Sequence, residues 1–232
     1  MNAIEVKIEL EKHANEQKRD FLPVFFKTGK GQYGEGDRFM GVVVPDIRLV
    51  AKIFKTLPFD EIALLLKSEY HECRMCALLI LVEGFKKGSE EERTRIYHFY
   101  LSSTSRINNW DLVDLSAPQI VGGYLINRSR EELYRLASSS LLWDQRIAML
   151  ATLTFIRNNE FTDTIRLAEM MLHHPHDLMH KAVGWMLREA GKRKKEVLVE
   201  FLEKHHKEMP RTMLRYSIEK LSEQERKYYM KR

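Results

Sequence analysis

Residues 71–87 read HECRMCALLILVEGFKK, and this stretch decides the fold. A run this apolar on every side belongs to a helix buried within a larger protein. Strongly apolar helices start again near Trp110, Trp143, Asp177 and Arg211, so the starts recur every 33–39 residues or so. That period lies in the range of helical repeats. Shorter helical segments sit between them, at Glu90–Leu101, Glu131–Ser138, Phe161–Leu172 and Lys195–His205. Each pair buries its apolar side on its neighbours, and a stack of pairs makes a curved solenoid with a concave surface. The expected class is therefore all-α, a solenoid of antiparallel helix pairs, with an irregular helical bundle as the alternative.

Working outward, residues 1–19 place Ala3, Val6, Leu10 and Ala14 at helical spacing, which predicts one helix. A glycine-rich break from Asp20 to Pro45 follows. Asp46–Thr56 then has Ile47, Val50, Ala51 and Phe54 at i, i+3, i+4 and i+7, and Pro58 closes it. Phe59–Lys67 and Glu72–Lys87 continue the helical pattern. No low-complexity linker interrupts the chain, so residues 1–232 are read as a single domain.

Composition narrows the function. Apolar residues make up 44% of the 232 positions, enough for a sizeable core, while 31% are charged, too many for a membrane protein. No stretch approaches the roughly 20 apolar residues of a membrane span. The opening MNAIEVKIELEKHANEQKRD is amphipathic and contains acids, unlike a secretory signal or a transit peptide. Two cysteines exclude a disulfide scaffold, and the expected location is cytoplasmic. The net charge of +5 permits a polyanionic partner without demonstrating one.

Three motif matches are decoys. Gly29-Lys30-Gly31-Gln32-Tyr33-Gly34 fits G-x-G-x-x-G, but Pro23 interrupts the short apolar run before it and Glu35-Gly36-Asp37 follows where a helix must start. A structured or mobile loop is expected, with Lys30 able to meet a phosphate. Cys73-Arg74-Met75-Cys76 has no second pair for zinc and sits in the buried helix, where cysteine acts as a small hydrophobe. His173, His174, His176 and His180 lack the third ligand and the glutamate of a zinc helix, and read as a helix end, a turn and a helix start. No metal and no cofactor are expected.

Three helix starts carry chemistry. In Asn108-Asn109-Trp110-Asp111-Leu112-Val113-Asp114 an asparagine can cap the helix, and Trp110 and Asp114 then share a face. Asp111 suits the helix dipole. Asp114 sits in an otherwise apolar helix, where a carboxylate needs a partner or a task. In Leu142-Trp143-Asp144-Gln145-Arg146 the arginine heads a very apolar helix, and either pairs with Asp114 or reaches a phosphate. In HKAVGWMLRE, residues 180–189, Lys181, Trp185 and Arg188 form one stripe, which reads either as a solvated face around a core tryptophan or as a nucleic-acid contact.

These segments resemble the bacterial DNA alkylation repair family of HEAT-like-repeat DNA glycosylases. The resemblance spans nearly the whole chain, through FFKTGKGQYGEGDRFMGVVVPDIR, NNWDLVD, LWDQRIAML and HKAVGWMLREAGK. It implies a HEAT-like solenoid whose concave basic groove holds duplex DNA containing alkylated bases. It also implies excision of cationic N3- and N7-alkylated purines by hydrolysis of the N-glycosidic bond, without a metal and without base flipping. Carried over by motif, the catalytic aspartate falls on Asp114 and the two sugar-contacting tryptophans on Trp110 and Trp185. A backbone-contacting arginine falls on Arg146 and a further one on Arg188; the residue pattern itself adds Lys181, Arg157 and Lys30 as candidate DNA contacts. The chain departs from the family where catalytic members offer a tyrosine and a glutamine, since Phe26 and Val43 stand there, and Thr154 stands where a lysine is expected. The glycine-rich loop 29–36 belongs to only some subfamilies. A monomer is expected. The competing reading is a non-catalytic HEAT-like DNA-binding or protein-interaction scaffold. The joint presence of Trp110, Asp114, Arg146 and Trp185 separates the two, because a carboxylate beside an anion-binding groove repels phosphate and serves no scaffold.

Overall fold

A computed structural model describes residues 1–231 of the chain. Among the described residues the secondary structure is helical, and the only β feature is an isolated bridge between Arg38 and Tyr70. The chain divides into two compact units, Met1–Ile120 and Val121 onward.

The first unit holds α1 (Ala3–Glu11), α2 (Glu16–Phe25), α3 (Val44–Ile53), α4 (Phe59–Leu66), α5 (His71–Lys87), α6 (Glu90–Ser102) and α7 (Trp110–Ala117), with a 3-10 turn at Thr104–Arg106. The single helix expected over 1–19 is two helices. Asn2 caps α1 in a capping box with Glu5, and Asn15 caps α2 by accepting from the Lys18 amide at 3.0 Å. Asparagine prefers such positions because its side chain satisfies amides that have no partner within the helix. The break expected from Asp20 starts later, since α2 runs through Pro23 to Phe25. Pro58 is the residue that leads into α4 rather than the stop of α3, which ends at Ile53.

Helix α5 is the core of this unit and packs on α1, α3, α4, α6 and α7. Its cysteines are buried free thiols, and burial pushes the Cys73 thiol up to about 11 and raises that of Cys76 as well. Both therefore stay protonated and pack as small apolar groups.

Helix α7 runs into a π-helical turn, Pro118–Gly122. The second unit continues with α8 (Gly123–Leu125), α9 (Glu131–Ala137), α10 (Leu142–Arg157), α11 (Thr162–Met170), α12 (Asp177–Arg193), α13 (Lys195–His205), α14 (Arg211–Ile218) and α15 (Glu223–Met230). Here α10 packs on α9, α11 and α12, and α12 packs in turn on α13 and α14. Within this unit α10 thus meets α12 and α12 meets α14, with a shorter helix between them in sequence, as the period predicts. Gly184 makes one of these contacts possible. A Cβ there would lie 2.5 Å from the Met213 carbonyl oxygen, so only glycine lets α12 lie this close to α14. Helix α15 lies outside the expected elements, although Ser222 and Glu225 form a capping box at its start.

Candidate functional site

Asn109 is fully buried and caps α7, its side-chain oxygen accepting from the Trp110 amide at 2.8 Å. Trp110 and Asp114 stand one turn apart on this helix, and both are half-buried. The indole of Trp110 stacks on Phe26, with ring centroids 5.3 Å apart and planes 22° apart, and meets the Phe25 ring edge-on at 6.0 Å. Phe26 stacks in turn on Phe39 at 5.1 Å. The tyrosine-to-phenylalanine departure at Phe26 therefore falls on a buried ring that supports Trp110. Val43, the other departure, is 40% exposed at the entry to α3.

Beneath Trp110 lies a buried charged cluster that the sequence reading did not assemble. Asp111 is buried, and its carboxylate lies 2.8 Å from His71 Nε2. Asp111 stands in the first turn of α7, where its charge suits the helix dipole, and it pairs with His71 as well. His71 Nδ1 lies 3.4 Å from the Asp37 carboxylate, which also accepts from Arg74 at 2.6 Å, from Asn108 at 3.2 Å and from Asn109 at 3.3 Å. Burial by itself pushes His71 down, but the Asp111 charge and the hydrogen bonds to Asp111 and Asp37 outweigh it and raise the imidazole to about 9. Burial works to raise Asp37, yet His71, Arg74 and Asn109 together hold it below the usual carboxylate range. Two carboxylates thus face two cations, which is how charge survives in an apolar interior.

Next to this cluster, Glu72 accepts the backbone amides of Met40, Gly41 and Val42 at 2.9–3.2 Å. The loop that carries Asp37 is so pinned to the head of α5. Gly41 has φ +89, and a Cβ there would lie 2.2 Å from the Asn15 carbonyl oxygen, so this bend admits glycine alone. One signal for the cluster stands in the sequence. His71-Glu72-Cys73-Arg74 opens a strongly apolar helix, and buried charges require partners.

The G-x-G-x-x-G segment is a loop held by its own side chains. The Gly29 amide donates to Gln32 at 3.0 Å and the Gly31 amide to Glu35 at 2.6 Å. Two of its amides thus meet a carboxamide and a carboxylate of this chain where a dinucleotide site would offer them to phosphate. Lys30 is exposed on this loop.

In the second unit, Arg146 is only 4% exposed and donates to the Leu178 carbonyl at 2.6 Å, tying α10 to the first turn of α12. An open cation at the helix head is not what the structure presents. Arg157 is exposed in the last turn of α10. Lys181, Trp185 and Arg188 are half-buried along α12. Lys181 pairs with Asp177 at 2.8 Å, and Arg188 pairs with Glu219. The histidine cluster is a helix end and a helix start, with His176 capping α12 by accepting from the Leu178 amide at 3.1 Å. Among the described residues no group of three His, Cys, Asp or Glu side chains is arranged to hold a metal ion. Nor is any described helix long and apolar enough to cross a membrane.

A family model described as DNA alkylation repair enzyme matches residues 6–221. The chain belongs to the DNA alkylation repair enzyme family. Its helices are also similar to a solved structure described as a predicted DNA alkylation repair enzyme from Enterococcus faecalis. That likeness has a TM-score of 0.69 at 15% identity and covers 91% of this chain and 98% of the other, which speaks to the shared fold. A search of curated proteins finds no match. Membership of the DNA alkylation repair enzyme family gives the chain an enzymatic role in DNA repair. It also agrees with the all-helical repeat architecture seen here.

Proposed function

We propose that this DNA alkylation repair protein is a DNA glycosylase. It hydrolyses the N-glycosidic bond of cationic N3- and N7-alkylated purines in duplex DNA, with no metal and without base flipping. The observation that carries the reading is the pair of half-buried side chains, Trp110 and Asp114, one turn apart on a helix whose start is fixed by a buried network.

The chemistry suits these residues. The bond between C1′ and the purine nitrogen breaks, its electron pair stays with the purine, and the positive charge of the alkylated base is neutralised. The sugar becomes oxocarbenium-like. Asp114 stabilises that charge and orients the water whose oxygen bonds to C1′ and whose proton is released. The faces of Trp110 and Trp185 favour nearby cationic character. Arg157 and Lys30 are exposed and suited to backbone phosphates. Lys181 and Arg188 would exchange their acidic partners for phosphate, and Arg146 would have to leave its buried position against the Leu178 carbonyl to contact one.

A second reading, the non-catalytic DNA-binding or protein-interaction scaffold, draws on two observations. Phe26 covers one face of Trp110, and Lys181 and Arg188 are already paired with acids. Release of free 7-methylguanine from methylated duplex DNA decides between the readings. Under the glycosylase reading, Asp114→Asn keeps its melting temperature and its DNA affinity and loses at least about tenfold in single-turnover rate, a loss of about 1.4 kcal/mol in transition-state stabilisation. A stable Asp114→Asn protein that excises at the parental rate overturns the assignment.

A further inference from the structure

We propose that His71 is a positioning residue that sets Trp110, and through it the DNA-facing start of α7, by clamping Asp37 and Asp111 at once. Its consequence for catalysis rests on the glycosylase reading given above.

Two independent routes connect His71 to Trp110. The first runs through the backbone. His71 Nε2 lies 2.8 Å from Asp111, which is the residue after Trp110. The second runs through the rings. His71 lies against Phe26 at 4.9 Å, and Phe26 carries the stacked indole of Trp110 at 5.3 Å. Phe39 covers another part of the imidazole at 4.9 Å.

The clamp has a strict proton requirement. A neutral imidazole donates from one ring nitrogen only, whereas the imidazolium donates from both. Two carboxylates face the two nitrogens, Asp37 from the loop before α3 and Asp111 from α7. The third charged group against the ring is Arg74 on the same helix, while Phe26 and Phe39 supply apolar walls. With the proton present, both carboxylates are held. Without it, one is left accepting nothing from the ring; Asp37 keeps Arg74, Asn108 and Asn109, whereas Asp111 keeps a contact within its own helix, so the start of α7 is the part released. The raised imidazole, at about 9, keeps the clamp closed at neutral pH.

The test uses the full chain labelled with 5-fluorotryptophan, whose three tryptophans give fluorine signals assigned by single Trp→Phe variants. From pH 7 to 10, the Trp110 signal is expected to move with the same midpoint as the His71 ring, followed by histidine NMR. The Trp143 and Trp185 signals stay in place and serve as controls. The single-turnover release of 7-methylguanine is expected to fall at least about tenfold across that midpoint, the kind of loss a small misplacement produces. At pH 7, His71→Gln and Asp111→Asn are expected to lose about tenfold in that rate while the DNA Kd changes less than about threefold. A Trp110 signal that stays fixed while His71 titrates overturns the proposal, as does a folded His71→Gln protein with the parental rate and signal. Should neither variant fold, the two titrations of the unsubstituted protein decide. Should the unsubstituted protein release no 7-methylguanine, the glycosylase reading fails alone, and the fluorine titration still tests the clamp.

Discussion

The heads of α5 and α10 both bury charged residues at the start of a long apolar helix, yet they satisfy them differently. At the head of α5, His71, Glu72 and Arg74 meet carboxylates and backbone amides thirty or more residues away in sequence, in the 37–42 loop and, for His71, at the start of α7. At the head of α10 the contacts include a hydroxyl and two backbone carbonyls. Asp144 accepts from the Ser139 hydroxyl at 2.8 Å, Gln145 donates to the Ser139 carbonyl at 2.7 Å, and Arg146 donates to the Leu178 carbonyl at 2.6 Å. The first arrangement is charge against charge, and it immobilises an irregular loop that has no helical ladder of its own. The second joins hydroxyl and carbonyl groups to a helix end that apolar packing already holds.

The largest effect is expected from breaking the first arrangement. Arg74→Ala removes the cation 2.6 Å from Asp37 and leaves that carboxylate buried with a single cationic partner. Removing one member of a buried pair costs about 3–5 kcal/mol. Arg146→Ala loses, among its contacts, a hydrogen bond from a charged donor to the Leu178 carbonyl, which by itself costs about 1.5–3 kcal/mol. Urea denaturation measures the totals, and amide hydrogen exchange tells which unit loosens. Exchange should rise in α5, α7 and the 37–42 loop for Arg74→Ala, and in α10 and α12 for Arg146→Ala. Equal costs for the two substitutions would erase the distinction between the two helix heads.

A pH titration sharpens the same contrast without a substitution. The folded-state value of His71, about 9, lies above its ordinary 6.5. Its contribution is therefore complete below about 6.5 and is lost as pH rises through about 9. By linkage the swing is on the order of 3 kcal/mol. Asp37 works in the other direction. Its depressed value contributes stability above the ordinary carboxylate range that disappears as pH falls through it. The first unit should thus lose exchange protection toward both extremes, beginning on the alkaline side above neutrality. Protection in α5 and α7 that holds constant from pH 7 to 10, after correction for intrinsic exchange, contradicts this assignment of charge to His71.

The sequence made the two helix heads unequally legible, for a physical reason. Periodicity located the starts of α5, α7, α10, α12 and α14 because helical burial repeats every few residues along the chain. It also placed Trp110 and Asp114 on one face, since i and i+4 spacing is local. The split between α1 and α2 was written in Asn2 and Asn15, but two asparagine caps weigh little against an apolar pattern that runs through them. The Asp37–His71–Arg74–Asp111 cluster has no local period. Its members come from a loop and two helices, so only the need of buried charges for partners hinted at it. Arg146 and Arg188 looked alike on the page as cations at helical positions. One is buried against a carbonyl and the other half-buried against Glu219, a difference set by tertiary packing.

The smallest expected effect concerns that last residue and tests whether α12 faces DNA. Glu219 is exposed, and its carboxylate is held below the usual range by the Lys220 hydrogen bond first and by the Arg188 charge next. It is therefore ionised at neutral pH and neutralises Arg188. Glu219→Gln removes the nearer of two competing charges, with Glu189 remaining 3.5 Å from Arg188, while keeping the side-chain shape. If α12 lies along the duplex, Arg188 becomes available to a phosphate, and one more neutralised phosphate releases about one more counterion. The logarithmic salt dependence of binding to undamaged duplex should steepen by up to about one, with affinity at low salt tighter by about two- to threefold. The same change at the neighbouring pair, Asp177→Asn beside Lys181, should act in the same direction. Arg188→Ala combined with Glu219→Gln should abolish the gain, because the added contact belongs to the guanidinium and not to the lost acid. A salt slope that is identical in the parent and in Glu219→Gln would remove Arg188 from the DNA-facing surface. The stripe on α12 would then be a solvated face around Trp185, held together by its own ion pairs.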